Sequence, residues 1–308
     1  MNQHIRTIAI LGAGAVGSYL VMGLSDKYKE NLWVIADGER KDRLAKNGLN
    51  INDKVYSLHI KTPAEAHGVD LLFVCTKYTQ LRDSLPDIET ITDKHTIVVS
   101  LLNGVDSEEL IGQRIGMEHM IYSLIRIASH RIGNSIHFSL PKGYNGIYIG
   151  IPNQPACQDP RLAAIAEIFA DTPVTLHLSD DILLDMWDKF GLNVSRNLPQ
   201  AILGVGIGVY DDSIYADAIM RRMRHEVVLV ANAKGIPLTD EFKAAKWLPS
   251  QRYSTLQDLD AHRHTEIDMF SGALIRMGKE VGVECPYNEM TYNLIKALEE
   301  KNDGKFDY

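Results

Sequence analysis

The sequence predicts an α/β protein in two parts, a parallel-sheet domain followed by a mainly α-helical one. Three observations predict it. An apolar run, Ile8–Leu11, enters G-x-G-x-x-G at Gly12, Gly14 and Gly17. Two later apolar runs end on a polar residue, Lys77 and Asn103, as strands of an open sheet do at their ligand-bearing ends. Beyond residue 178 the texture changes to helices, which sets the expected domains at 1–178 and 179–308.

The opening stretch is the first element. A short strand followed at once by Gly12, Ala13, Gly14, Ala15, Val16 and Gly17 is the Rossmann-like dinucleotide turn. Gly12 would make the tight turn, Gly14 would let the backbone approach a pyrophosphate, and Gly17 would let helix and strand pack closely. The phosphates would then meet unpaired amides at a helix N-terminus. A helix from 15 to about 25 and a strand Leu32–Ala36 complete the unit. Asp37 follows at about the distance needed to reach an adenosine ribose.

Residues 39–48 read as a short charged helix stopped by Asn47-Gly48. Residues 68–76 and 96–102 read as buried strands delivering Lys77 and Asn103 into one crevice, although Asn103-Gly104 also suits an ordinary turn. Short β-like runs follow at Met120–Ile127, Gly133–Phe138 and Gly146–Ile151, then a helix Pro160–Ala170 and a strand Val174–Leu178.

The second domain opens with a helix from Asp181 to about Leu203. Lys189, Asn193 and Asn197 fall on one side of it, and Pro199 threatens its last turn. Further helices are expected over Ala216–Ala233, 263–282 and Pro286–Glu300, the last with Pro286 at a tolerated N-terminal position.

Composition narrows the function. The 308 residues are 45% hydrophobic and 23% charged with a formal charge of −8, a globular balance that discourages nonspecific nucleic-acid binding. Cys75, Cys157 and Cys285 show no close pair and no metal-ligand spacing, so a reducing, cytoplasmic location is expected. No run is long enough to cross a bilayer, and neither a nucleophile elbow nor a phosphate-binding P-loop occurs. His262, His264, Asp258 and Glu266 lack a metal motif, and no metal is expected.

Lys189 is the candidate acid. A helix lysine is ordinarily solvated, but Trp187, Phe190, Asn193 and Asn197 give this one a semi-buried, hydrogen-bonding surface. The second candidate region runs from Ser254 to Asp268. Thr265, Glu266 and Asp268 there would equally suit the first turn of a helix.

These motifs, taken together, closely resemble those of the ketopantoate reductases, or 2-dehydropantoate 2-reductases. The resemblance spans nearly the whole chain. It rests on G-A-G-A-V-G-S-Y, C-T-K-Y-T-Q, L-L-N-G-V, W-D-K-F-G-L-N-V-S-R-N and S-T-L-Q-D-L-D-A-H-R-H-T-E-I-D. It implies an active site between a nucleotide-binding and a helical domain, and reduction of 2-dehydropantoate by NADPH on the route to pantothenate and coenzyme A. It further implies that Lys189 donates the carbonyl proton and that Glu266 contacts substrate and supports catalysis. By the same resemblance Asn103, Asn193, Asn197 and Ser254 hold substrate, and Lys77 organises the cleft. Asn103 would also border the nicotinamide.

Two positions depart from the family. Asp37 stands where arginine commonly recognises the 2′-phosphate, which argues for NADH, but Arg40, Lys41 and Arg43 could compensate, and NADPH is the expected cofactor with NADH use possible. Leu102 stands where glutamine is frequent. Two alternatives therefore accompany the leading reading: reduction of another branched 2-oxo acid, and a non-catalytic NAD(P)H-binding regulatory protein. The expected partner is a small-molecule 2-oxo acid, with no nucleic acid and no membrane, and the family permits a homodimer.

Overall fold

The computed structural model describes residues 4–138, 143, 145–242, 248–306 and 308. The chain divides into two compact units, residues 1–183 and 184–308. The expected boundary at 178 coincides with the last strand of the first unit, and the division itself falls in the first turn of the following helix.

The first unit alternates β1 (Ile8–Leu11), α1 (Ala15–Tyr28), β2 (Leu32–Ile35), α2 (Gly38–Asn47), β3 (Leu49–Ile51), β4 (Lys54–Tyr56), β5 (His59–Lys61), β6 (Leu71–Val74), α3 (Tyr78–Ile91), β7 (Ile97–Ser100), α4 (Ser107–Ile115), β8 (Met120–Arg126), β9 (Ser129–Ile132), β10 (Ser135–Phe138), β11 (Gly146–Gly150), α5 (Pro160–Phe169) and β12 (Leu176–Leu178). Eight strands form one sheet in the order β12-β11-β8-β7-β6-β1-β2-β5, parallel except where β11 meets β8. Strands β1, β6 and β7 are buried along their whole length, so both faces of the sheet are covered. Alternation divides the core. Ile8, Ile10, Phe73 and Val99 pack with Tyr19, Leu20 and Leu24 of α1 and with α5, whereas Ala9, Leu72, Val74 and Val98 pack with Leu81 and Ile88 of α3 and Ile111 of α4.

Helices α3 and α4 follow Lys77 and Asn103-Gly104, where no helix was expected. Pro86 inside α3 masks that helix from a sequence reading. The three β-like runs expected over 120–151 are β8, β10 and β11, and the structure adds β9, which with β10 joins a small sheet ordered β4-β3-β10-β9. A tight hairpin with Asn52 and Asp53 at φ 48° and 63° supplies β3 and β4, and Asn52 Oδ1 accepts from the Phe138 amide at 2.9 Å. Residues 139–142 and 144 of that stretch lie outside the described residues.

The second unit is helical, with α6 (Ile182–Leu192), α7 (Leu198–Leu203), α8 (Val209–Asp212), α9 (Ile214–Ala233), α10 (Ser254–Asp260), α11 (Ala273–Val281) and α12 (Pro286–Asn302). The helix expected over 181–203 is interrupted. Residues Asn193–Asn197 form a π-helical turn, and Pro199 sits at the first turn of α7, where its missing N–H is tolerated. The helix expected over 263–282 begins later, with a second π turn at Asp268–Gly272 that runs into α11. Residues 263–267 are not helical, because the Thr265 amide is drawn to a side chain of α12 instead of to its own turn. Among the described residues no helix is long and apolar enough to cross a membrane.

Candidate functional site

In the first unit the strand order reverses between β1 and β6, and the carboxyl ends of β1, β2, β6 and β7 lie on one edge. Two of the three glycines of the turn there have a steric reason within the protein. Gly12 has φ 107°, and a Cβ on it would lie 2.6 Å from the Cys75 carbonyl. A Cβ on Gly17 would lie 1.9 Å from the Gly12 carbonyl oxygen, so only glycine lets α1 approach β1. A Cβ on Gly14 would meet nothing within 4 Å. Nothing in the protein itself demands glycine at that position, which leaves room for a ligand to approach the backbone. Gly14 caps α1 without a side-chain bond, and the first turn carries no acidic residue. These features suit a dinucleotide pyrophosphate, with Ala13, Ala15 and Val16 completing the turn.

Asp37 is exposed at the N-terminus of α2 and makes no capping bond with its side chain. Asp87 of α3 lies close by, and the Asp37 charge adds to burial in raising the Asp87 carboxyl. Of the nearby cations, Lys41 is held by Glu65 at 3.0 Å, while Arg40 is exposed. A backbone bond at Thr62, reinforced by Lys41, brings Glu65 down to about 2. Lys77 is exposed as the N-cap residue of α3. Tyr78 follows it and donates its hydroxyl to Asp106 Oδ2 at 2.6 Å, tying the start of α3 to the half-buried Asn103 loop.

In the second unit Lys189 and Asn193 are half-buried and Asn197 is buried. In an unbroken α-helix each four-residue step drifts by about 40°. The wide turn over 193–197 offsets that drift, and Asn197 Nδ2 lies 3.4 Å from Asn193 Oδ1. That turn packs against α10, which carries the exposed Ser254, and against the second π turn, just after the half-buried Glu266. The unit thus gathers the elements bearing Asn193, Asn197, Ser254 and Glu266. π turns are frequent at functional sites because they re-aim side chains within a helix.

Several supporting residues escape a sequence reading. Arg224 of α9 is 1% exposed and binds Asp188, next to Lys189, at Oδ1 (3.2 Å) and at its carbonyl (3.3 Å). Gly191 makes room for it, since a Cβ there would lie 2.0 Å from Arg224 Nη1. Gln200 brackets the approach to Ser254, donating to the Gln251 carbonyl at 2.8 Å and accepting from the Tyr253 amide at 2.9 Å. Helix α12 holds both sides of Glu266. Glu299 Oε1 accepts from the Thr265 amide (2.7 Å) and hydroxyl (2.6 Å), while Lys296 and Tyr292 donate to Asp268 at 2.8 and 2.7 Å. Burial alone would raise the Asp268 carboxyl, but the bonds from Lys296 and Tyr292 outweigh it and lower it. Only long-range pairing reveals these roles, apart from the Lys296 and Glu299 spacing along one helix face.

Two of the residues weighed as a metal cluster are held in ion pairs. His264 meets Asp303 at 2.9 Å and Asp258 meets Arg263 at 2.8 Å, and no group of three or more His, Cys, Asp or Glu among the described residues could hold a metal ion.

The sequence models of one family match both halves of the chain: "Ketopantoate reductase PanE/ApbA" over residues 8–154 and "Ketopantoate reductase PanE/ApbA C terminal" over 181–299. The 2-dehydropantoate 2-reductase of Streptococcus pyogenes is 27% identical, covering 95% of this chain and 97% of its own. That of Caulobacter vibrioides is 26% identical over 95% and 99%. Among solved structures, D-mandelate dehydrogenase with NADH and anilino(oxo)acetate has a TM-score of 0.82 at 26% identity over 96% of this chain and 99% of that one. A PanE/ApbA family ketopantoate reductase from Ralstonia eutropha, at TM-score 0.78, 24% identity and the same coverage, shares the fold. Matched by its models over both halves, the chain belongs to the ketopantoate reductase PanE/ApbA family of NAD(P)H-dependent oxidoreductases.

Proposed function

We propose that the protein reduces 2-dehydropantoate to pantoate, a step toward pantothenate and coenzyme A, and that it uses NADH in preference to NADPH. The observation carrying the reaction is the combination of a sterically committed dinucleotide turn with a π turn bearing Asn193 and Asn197, close after Lys189 in the chain, that packs against the helix of Ser254 and against the π turn following Glu266. The bound reduced nicotinamide supplies the hydride. Lys189 donates a proton to the ketone oxygen as negative charge develops there, an interaction stronger in the transition state than in the ground state. Glu266 receives the substrate hydroxyl. Asn193, Asn197 and Ser254 orient the hydroxyl and carboxylate groups, and Asn103 holds substrate beside the nicotinamide.

The cofactor preference rests on charge. Asp37 accepts hydrogen bonds from an unmodified ribose, whereas a 2′-phosphate would meet the carboxylates of Asp37 and Asp87. Arg40 is the nearest competing attraction. The expected outcome is a kcat/KM for NADH at least about tenfold above that for NADPH, and Asp37→Arg should reverse the order.

A second reading, reduction of another 2-oxo acid, is favoured by Leu102. This residue is buried immediately before Asn103, in the core cluster with Val74 and Leu81, and brings no polar group where glutamine is frequent. Substrate-dependent loss of reduced-nicotinamide absorbance separates the readings, using 2-dehydropantoate, 3-methyl-2-oxobutanoate and phenylglyoxylate with each cofactor. Fastest turnover of 2-dehydropantoate supports the first reading, and faster turnover of either other acid supports the second. Binding without turnover of any would make the protein a nucleotide-binding regulator.

We also infer a cytoplasmic location, supported by three free cysteines, and a homodimer, supported by Tyr287, Met290 and Leu294 exposed along one face of α12. Cell fractionation and light scattering test these.

A further inference from the structure

The Asn103 loop leaves β7 at Ser100 and enters α4 at Ser107, and its base is closed by a ring of polar groups. Ser100 Oγ lies 2.8 Å from Ser107 Oγ, and Ser107 Oγ donates to Glu108 Oε2 at 2.8 Å. The Ser123 amide donates to Glu108 Oε1 at 3.4 Å, and the Ser123 hydroxyl donates to the Ser100 carbonyl. Glu108 is 1% exposed, and among the described residues no cation pairs with it. A carboxylate so placed gives up its hydration for one hydroxyl and one amide, which favours the neutral acid. Burial pushes Glu108 up to about 7, although bonds from Ser107 and Ser123 oppose the rise and Asp106 adds to it. The other ionisable groups facing it are Glu109 and Tyr122, and Tyr122 is itself pushed up to about 12, by burial first and then by Glu109 and Glu108. Tyr78 holds Asp106 from the outside of the loop.

We propose that Glu108 is a positioning residue for Asn103, closing the ring that fixes the loop when it is protonated and releasing the loop when it ionises. The inference rests on the reading that Asn103 borders the nicotinamide. Hydroxyls both donate and accept, so when Glu108 is neutral its O–H donates to Ser107 Oγ, whose own hydroxyl turns toward Ser100 Oγ. The ionised ring is acceptor-only at Glu108 and has no cation, a state relieved by moving the loop toward water. The sign follows from the raised value. The ordered loop binds the proton more readily than the unfolded chain does, so its stabilisation is complete below the unfolded value of about 4.5 and is lost as pH rises through about 7.

NADH binding is the test, because NADH has no ionisable group between pH 6 and 8. Nicotinamide fluorescence titrations across that range are expected to show the wild-type affinity falling about tenfold, the equivalent of a one-unit shift in Glu108 on binding. Glu108→Gln should bind with a flat profile near the wild-type value at pH 6, and its thermal unfolding should lose the wild-type decline above pH 7. Ser107→Ala keeps the carboxyl but removes the hydroxyl that bonds it in either protonation state, so the midpoint should shift; this variant decides the matter if Glu108→Gln fails to fold. A flat wild-type profile, a wild-type step retained in Glu108→Gln, or an unmoved midpoint in Ser107→Ala overturns the role of Glu108 and leaves the cofactor reading standing. Failure of the wild type to bind NADH and NADPH at every pH overturns both.

Discussion

The two units carry function by different physical means. In the first, the committed atoms are backbone: Gly12 and Gly17 are required by contacts of 2.6 and 1.9 Å that any side chain would make, and Gly14 leaves a peptide open to solvent. In the second, the committed atoms are side chains, on or next to two π turns, with neighbours held by partners far away in sequence, such as Arg224 on Asp188 beside Lys189 and Glu299 on Thr265 beside Glu266. The comparison teaches that a backbone site depends on a few missing side chains, whereas a side-chain site depends on the packing that supports it. Substitutions should therefore separate binding from turnover according to the unit they strike.

The largest effect expected is at Lys189. Lys189→Ala should lower kcat by about 10²–10⁴-fold, the contribution of a positioned acid, with NADH affinity unchanged. Steady-state rates with an independent binding titration check this, and an unchanged kcat would remove the second unit from the chemistry.

The glycines give the next contrast. Gly17→Ala forces α1 away from β1 and should cost about 1–3 kcal/mol of stability along with NADH affinity. Gly14→Ala meets no protein atom, so it should keep the wild-type unfolding temperature yet weaken NADH binding about 10- to 100-fold, the equivalent of one or two charge-assisted hydrogen bonds. Equal losses of stability in the two variants would contradict the assignment of Gly14 to a ligand.

The smallest effect is expected at Glu299. Glu299→Gln leaves a weaker acceptor for Thr265 and costs about 1 kcal/mol, because neutral hydrogen bonds are about half as strong as charged ones. This should appear as a rise of about fivefold in KM for the oxo acid, without change in NADH affinity. A change in NADH affinity instead would show that the two kinds of site are less separable than the comparison holds.

What could be read in advance follows the same division. The strand-to-glycine-to-helix order at Ile8–Tyr19 was legible because a tight turn and a close helix approach exclude all but glycine, a local requirement. Helix α3 was not, because Pro86 contradicts its pattern and burial of Leu81, Ile88 and Ile91 against the sheet overrides it. The start of the helix near 263 was misplaced for a related reason: Thr265 and Glu266 look like a first turn, but Glu299, 34 residues later, takes the Thr265 amide away.

Alone, the sequence determined the strand-to-glycine-to-helix start of the first unit and the change to helices in the second, since these depend on residue type and short spacing. Only the tertiary structure decided the π turns that aim Asn193 and Asn197, the hold of α12 on Glu266, and the isolation of Glu108 from any described cation. Hydrogen bonding and desolvation depend on which groups meet in space, and the chain brings those groups together across separations that no local pattern records.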